Sequence, residues 1–433
     1  MPLDFLQTED TSKNIIKVIG VGGGGCNAVK NMYNEGIVNV TFAVCNTDSQ
    51  SLSKSPVPVK IMLGDSGLGA GANPDVGRKE AQNSQEAIKQ LLDDGTKMVF
   101  VTAGMGGGTG TGAAPVVAGI AKSMGILTVG IITIPFYFEK RKKIIKALRG
   151  VEEMRKNVDA LLIVNNERLC DVYADSEITV KDAFKLADKV LSDATKSISE
   201  LITVEGTVNL DFRDVETTTR GGGGAIMAMG RAGGKGRVQN AILNALDSPL
   251  LYGSDISNAK RILFNIYTSS KHPIFVKEMR EIDAFFEELN PDINVIWGIS
   301  DDDSLDEDAK VTILATGINN DVSTEIANDK EDNEESDYTE IINKLYHPIK
   351  DNIPAKEPAV AEPAEPQEKT SADAPTLTDT VDEEPEEDSP DDAVSTEPTR
   401  EDTPLPSSAS FVKRLKERMR NFAESLLTDD EQA

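Results

Sequence analysis

Histidine, cysteine and tryptophan are scarce in this chain of 433 residues, which has two histidines (His272 and His347), three cysteines (Cys26, Cys45 and Cys170) and one tryptophan. Cysteines so few and so far apart suggest neither a disulfide framework nor a metal-ligand pattern. Two distant histidines leave little room for histidine-based catalysis. No apolar run reaches the ~18 uninterrupted residues that would suggest a membrane span. The opening segment, MPLDFLQTEDTSKN, lacks the basic start and apolar core of a secretory signal, so the expected compartment is a reducing cytoplasm. Positive charge is also in short supply, and the formal net charge is −28. Phosphate backbones are held by clustered Lys and Arg, so nucleic acid is not an expected partner.

That acidity is concentrated. Residues 321–410 hold 27 acidic and 6 basic side chains together with 11 of the 20 prolines. Such a composition cannot bury enough apolar surface to offset its ordering entropy, and 321–407 is expected to be a disordered linker. Upstream the pattern is different. IIKVIG (15–20), VTFAVC (40–45), MVFVTA (98–103), ILTVGIITI (126–134) and ALLIV (160–164) are nearly continuous apolar runs, separated by candidate helices near 25–35, 76–94, 112–124 and 140–157. Strands without alternation, spaced by helices, imply a parallel sheet covered on both faces. The expectation is a Rossmann-type doubly wound α/β domain over 14–178, after a flexible extension of residues 1–13.

Residues 179–202 then read as one long central helix whose stripe is Ala183, Leu186, Val190, Ala194, Ile198 and Leu201. A smaller α/β domain follows over 203–320, with strands RILFNIYTS, INVIWGIS and KVTILATGI and helices near 236–247 and 274–289. At the end, 408–433 is expected to be an amphipathic helix. Phe411, Val412, Leu415, Met419, Phe422 and Leu426 share one face, basic residues lie mostly elsewhere, and Ser410 can cap it.

Two glycine clusters carry the chemistry. Gly20-Val21-Gly22-Gly23-Gly24-Gly25-Cys26-Asn27 follows the first strand and opens a helix, where backbone N–H groups can hold phosphate. Taken alone it reads either as a tight turn or as a dinucleotide fingerprint, with Asp48 at a suitable distance for a ribose hydroxyl. The second cluster, Gly104 to Gly112, has six glycines in nine residues and again joins a strand to a helix. So many glycines are too costly in backbone entropy for a plain turn. A dinucleotide's one pyrophosphate needs one such turn, whereas a triphosphate can use two. There is no GxxxxGK[ST], so the site is not of the Walker type. A third run, Gly221 to Gly224, is given no ligand.

GGGTGTG at 106–112 resembles the signature of the tubulin/FtsZ superfamily. VIGVGGGGCNAV (18–29), NTD (46–48), GLGAGANPDVGR (67–78) and ITIPFYFE (132–139) resemble its bacterial division GTPases. The similarity runs in order over about residues 14–318. It implies a GTP-binding domain joined by a long central helix to a smaller α/β domain, then a disordered tail. It further implies that Gly23, Gly24, Gly25, Cys26 and Asn27, with Gly107, Gly108, Thr109 and Gly110, hold the phosphates of GTP. Thr133 and Lys143 would line the same site, Lys143 standing where many relatives have Arg and losing its bidentate fork. Glu139 would contact the ribose, Asn166 and Asp188 would read the base, and Phe184 would stack on it. Asn209, Asp211 and Asp214 resemble the NxDxxD loop that supplies catalysis to a neighbouring subunit, with Mg²⁺ on the phosphates and no protein-held metal.

The resemblance also implies head-to-tail self-association into the division ring at midcell, under the membrane. The terminal helix would dock on an FtsA-type membrane tether or other division proteins, or else on anionic lipid. Two alternatives stand beside this reading: a nicotinamide-dependent oxidoreductase, supported by Gly20–Gly25 alone, and a non-hydrolysing scaffold of the same fold.

Overall fold

The apolar runs become the inner strands of one sheet. The computed structural model describes residues 15–37, 39–172, 179–248, 256, 259–318 and 337–346. Strand and helix alternate through the first half: β1 (Ile16–Val21), α1 (Gly22–Asn34), β2 (Val40–Asn46), α2 (Ser49–Lys54), β3 (Val59–Met62), α3 (Pro74–Asn83), α4 (Gln85–Leu92), β4 (Met98–Gly104), α5 (Thr109–Ser123), β5 (Leu127–Ile134), α6 (Arg141–Asn157), β6 (Ala160–Asn165) and α7 (Asn166–Val172). Then come the long α8 (Val180–Thr203), α9 (Phe212–Thr219), β7 (Gly223–Ala232), α10 (Arg237–Leu246), β8 (Arg261–Thr268), α11 (Val276–Glu287), β9 (Asn294–Asp301), β10 (Ala309–Thr316) and α12 (Asp337–Tyr346). Among the described residues no helix is long and apolar enough to cross a membrane.

The sheet order is β3-β2-β1-β4-β5-β6-β7-β10-β8-β9. The strands from β3 to β7 are parallel, and β10 enters antiparallel to both β7 and β8. The two halves share this one sheet through a short ladder in which Ala160, Leu161 and Leu162 face Gly223, Gly224 and Ala225. The third glycine run therefore has a structural use, as the entry into β7.

Helix α8 lies across both halves. Ala187, Leu191, Ala194, Ile198 and Leu201 are buried in one cluster with Val18 and Phe100 of the first half and Met227, Leu263 and Leu314 of the second. Its buried face is turned slightly from the expected stripe, because Leu186 and Val190 are only partly covered while Ala187 and Leu191 are fully so. The expected helix 76–94 is two helices. Ser84 interrupts it, its hydroxyl donating to the Glu80 carbonyl (2.9 Å) and accepting from the Gly64 N–H (3.0 Å).

One expectation is corrected outright. Residues 337–346, inside the stretch expected to be disordered, form α12 and pack on the first half. Ile341, Ile342, Leu345 and Tyr346 are buried in the cluster that also holds Ile144, Leu148 and Val151 of α6. A local apolar stripe outweighs the polar composition around it. The rest of 321–407, the extension 1–13 and the helix expected over 408–433 lie outside the described residues.

Candidate nucleotide site

The glycine clusters are themselves the first turns of α1 and α5. The first N–H groups of any helix have no partner within it, and neither α1 nor α5 has a side-chain cap to take them. Both helices start at the C-terminal ends of neighbouring strands, since β1 pairs with β4 as far as Val21 against Ala103. Two uncapped, positively polarised helix ends thus face one crevice, which suits an anion with several charges.

Only glycine lets them come this close. Gly22 has φ +72°, and a Cβ there would lie 2.6 Å from the Gly110 nitrogen. A Cβ on Gly110 would lie 2.4 Å from the Gly104 carbonyl oxygen. Gly23, Gly24 and Asn27 are exposed, and Gly107 and Thr109 are half-buried. By contrast Gly25 and Gly108 are buried against Thr102 and against Ala70 and Asn73. Their backbone, and the absence of a side chain, is what they contribute. Cys26 turns only its backbone toward the crevice: its thiol faces inward, 3.6 Å from the Gly20 and Cys45 carbonyls, and burial pushes its pKa up to about 12. The hydroxyls of Thr47 and Thr109 are 2.6 Å apart, which ties the NTD segment to the second glycine turn.

Around this floor the other expected residues gather. Thr133 ends the ladder opposite Gly104, and its carbonyl accepts from the Met105 N–H at 2.9 Å. Glu139 accepts from the Phe136 N–H (3.0 Å) and is paired with Lys143, whose stem packs against Gly106. Phe184, at the start of α8, is 42% exposed and meets the ring of Phe136 edge-on at 5.0 Å. Phe138 stacks on Phe136 at 5.0 Å. This aromatic trio joins the α8 end to the β5–α6 loop and was missed in the sequence, where only Phe184 drew notice. Asn166 opens α7, is 5% exposed, and leaves its buried side-chain oxygen without a partner among the described residues. Asp188 lies one turn beyond Phe184, and burial raises its pKa to about 6.

Asn209, Asp211 and Asp214 are not in this crevice. They follow the other end of α8. At about 1.5 Å per residue the helix puts roughly 28 Å between Phe184 and its last residue, Thr203. The loop is stitched to β9 instead: Val208 and Ile299 exchange backbone hydrogen bonds of 3.2 and 2.9 Å. Asn209 accepts from the Gly206 N–H (2.7 Å), while Asp211 and Asp214 cap α9 reciprocally, each carboxylate accepting the other's N–H at 3.0 and 2.9 Å. Asn209 and Asp211 are exposed.

Asp48, the ribose contact of the dinucleotide alternative, is engaged in capping α2, accepting from Gln50 and Ser51. Among the described residues no three carboxylate, histidine or cysteine side chains converge on a possible metal.

Fold and crevice together define a nucleotide-binding class of protein. Residues 15–174 match the model of the Tubulin/FtsZ family, GTPase domain, and residues 223–319 that of the FtsZ family, C-terminal domain. Over 327 residues the chain is 51% identical to the cell division protein FtsZ of Porphyromonas gingivalis, covering 75% of this chain and 71% of that one. The solved FtsZ dimer of M. jannaschii is 38% identical with a TM-score of 0.64, over 70% of this chain and 88% of that one. CetZ2 from Haloferax volcanii, solved as a GTPγS-bound protofilament, shares the fold at 21% identity and TM-score 0.60, over 70% and 93%. The chain belongs to the Tubulin/FtsZ family and is a GTPase.

Proposed function

We propose that GTP is hydrolysed at the junction between two copies of this chain, the crevice of one receiving Asn209, Asp211 and Asp214 of the next. The protein is a filament-forming GTPase of cell division. The observation that supports the split site is the length of α8, which carries the base-contacting residues at one end and the acidic loop beyond the other. A contact that pairs unlike surfaces head to tail does not close on itself, and it builds a filament.

In this reading the N-termini of α1 and α5 hold the phosphates, Glu139 contacts the ribose and Phe184 stacks on the base. The Asp188 carboxylate accepts from N1–H and the N2 amino group of guanine, which adenine cannot offer, and Asn166 supplies a second base contact. From the neighbouring chain, Asp211, with Asp214 beside it, polarises the attacking water while Asn209 orients it. The oxygen donors beside the glycine turns, Thr47 and Thr109, fit a hard cation shared with the phosphates; Mg²⁺ there would neutralise their charge. GTP completes the surface of the junction, and its hydrolysis weakens it. The amphipathic segment 408–433 docks the filament on an FtsA-type membrane tether at midcell.

The test is GTP turnover per subunit against protein concentration. It should fall steeply on dilution below the onset of assembly by light scattering. Turnover that stays flat in protein with no assembly would mean that one chain holds a complete site.

A further inference from the structure

Helix α12 lies beyond both family matches and has no part in the mechanism above. Its apolar residues Tyr338, Ile341, Ile342, Leu345 and Tyr346 recur at helical spacing. At its start it holds α6: the Tyr338 hydroxyl donates to the Glu152 carboxylate (2.9 Å), and Arg141 donates to the Thr339 hydroxyl (2.7 Å). At its end the partners change to the segments beside the crevice. The buried Tyr346 hydroxyl donates to the Pro135 carbonyl (2.7 Å), and its ring lies 5.6 Å from that of Tyr137. The Leu345 carbonyl accepts from the Asn165 side-chain amide (3.0 Å). Asn165 in turn accepts from the Glu167 N–H (3.0 Å), and the Glu167 carboxylate accepts from the Tyr137 N–H (2.9 Å). These contacts close a ring through the β5–α6 loop, the β6–α7 corner and the end of α12. Glu139 and Asn166 sit on the first two of these.

We infer that α12 is a positioning element of the nucleotide site, holding the loop of Glu139 and the corner of Asn166 in the geometry that binds the guanosine half of the nucleotide. The inference rests on the reading of Glu139 and Asn166 as ribose and base contacts. Because GTP and GDP share that half, undocking α12 weakens both by the same factor. Because the loop for hydrolysis is elsewhere, it raises KM and leaves kcat unchanged.

The experiment uses the full chain, with binding measured by competition against a fluorescent guanine nucleotide below the assembly concentration. Tyr346→Phe keeps the ring and removes one buried hydrogen bond, so affinities for GTP and GDP should each fall roughly fivefold. Ile341→Glu with Leu345→Glu undocks the helix and should cost more, while Ile341→Val with Leu345→Met should retain normal affinity. Asn166→Ala serves as the reference. Weakened binding in Asn166→Ala, with Tyr346→Phe and the undocked variant both at wild-type affinity, overturns this inference and leaves the site reading intact. Unchanged binding in all of them removes Asn166 from the site, and the inference falls with it. A fall in GTP affinity alone, or a loss of kcat at saturating GTP, also overturns it. If the undocked variant does not fold, Tyr346→Phe decides alone.

Discussion

Asp188, by proposal a base contact, would serve binding at the expense of folding. Its carboxyl is raised to about 6 by desolvation, so between about pH 4 and 6 the folded protein holds a proton that the unfolded chain releases. Stability of the nucleotide-free protein on this account is greatest below pH 4 and is lost as pH rises through 6. Asp188→Asn should remove that slope and, discounting for partial exposure, stabilise the nucleotide-free protein at pH 7 by on the order of 1 kcal/mol. Urea midpoints at pH 5 and pH 7 check it. On the proposed reading binding has the opposite sign, because guanine would be read by the ionised form. GTP affinity of the native protein should fall as pH drops through 6, and in Asp188→Asn the preference for GTP over ITP, which lacks the N2 amino group, should narrow. An unchanged GTP/ITP ratio removes Asp188 from the base site. Gly110 offers a steric case at the same scale. Gly110→Ala would set a methyl 2.4 Å from the Gly104 carbonyl oxygen, forcing the first turn of α5 away from the end of β4. Nucleotide binding should be lost, as competition with a fluorescent guanine nucleotide would show.

Among the elements, α9 separates two roles of a single carboxylate. Asp211 is both its N-cap and, by proposal, a catalytic group. Asp211→Ala should lose hydrolysis together with about 1 kcal/mol of cap stability. Asp211→Asn should keep the cap and lose only hydrolysis, so a thermal melt and a turnover assay on the two variants distinguish the roles. The spacing Asp211-x-x-Asp214 is that of a capping box, a local signal that the resemblance to a catalytic loop overshadowed. The strands were legible because a parallel strand covered on both faces must be apolar throughout, and the glycine turns because nothing else fits so near another backbone. The break at Ser84 was hidden, since its cause is a hydroxyl bonding to both Glu80 and Gly64. Helix α12 was missed for two reasons. Its five apolar residues were diluted in a ninety-residue average of charge and proline, and their partners Pro135, Tyr137 and Asn165 lie about two hundred residues upstream. The aromatic trio escaped likewise, because Phe136 and Phe184 meet only once β5 and α8 are in place.

For the whole molecule, the separation of crevice and acidic loop makes complementation the most direct prediction. Gly110→Ala has a sound loop and a faulty crevice, and Asp211→Asn has the reverse. Each alone should be nearly inactive, and an equal mixture should regain up to about a quarter of normal turnover, the fraction of random head-to-tail junctions that join two sound halves. No recovery in a mixture that co-assembles by sedimentation would count against the split site. The two halves of the sheet meet at only three residue pairs, so α8, packed on both, fixes the offset between loop and crevice. That offset sets a direction. On this reading, a row of n chains has one end showing a crevice with no loop and another showing a loop with no crevice, and n − 1 complete sites between them. Its two ends are then chemically unlike, and a nucleotide held in the outermost crevice has no neighbour to cut it.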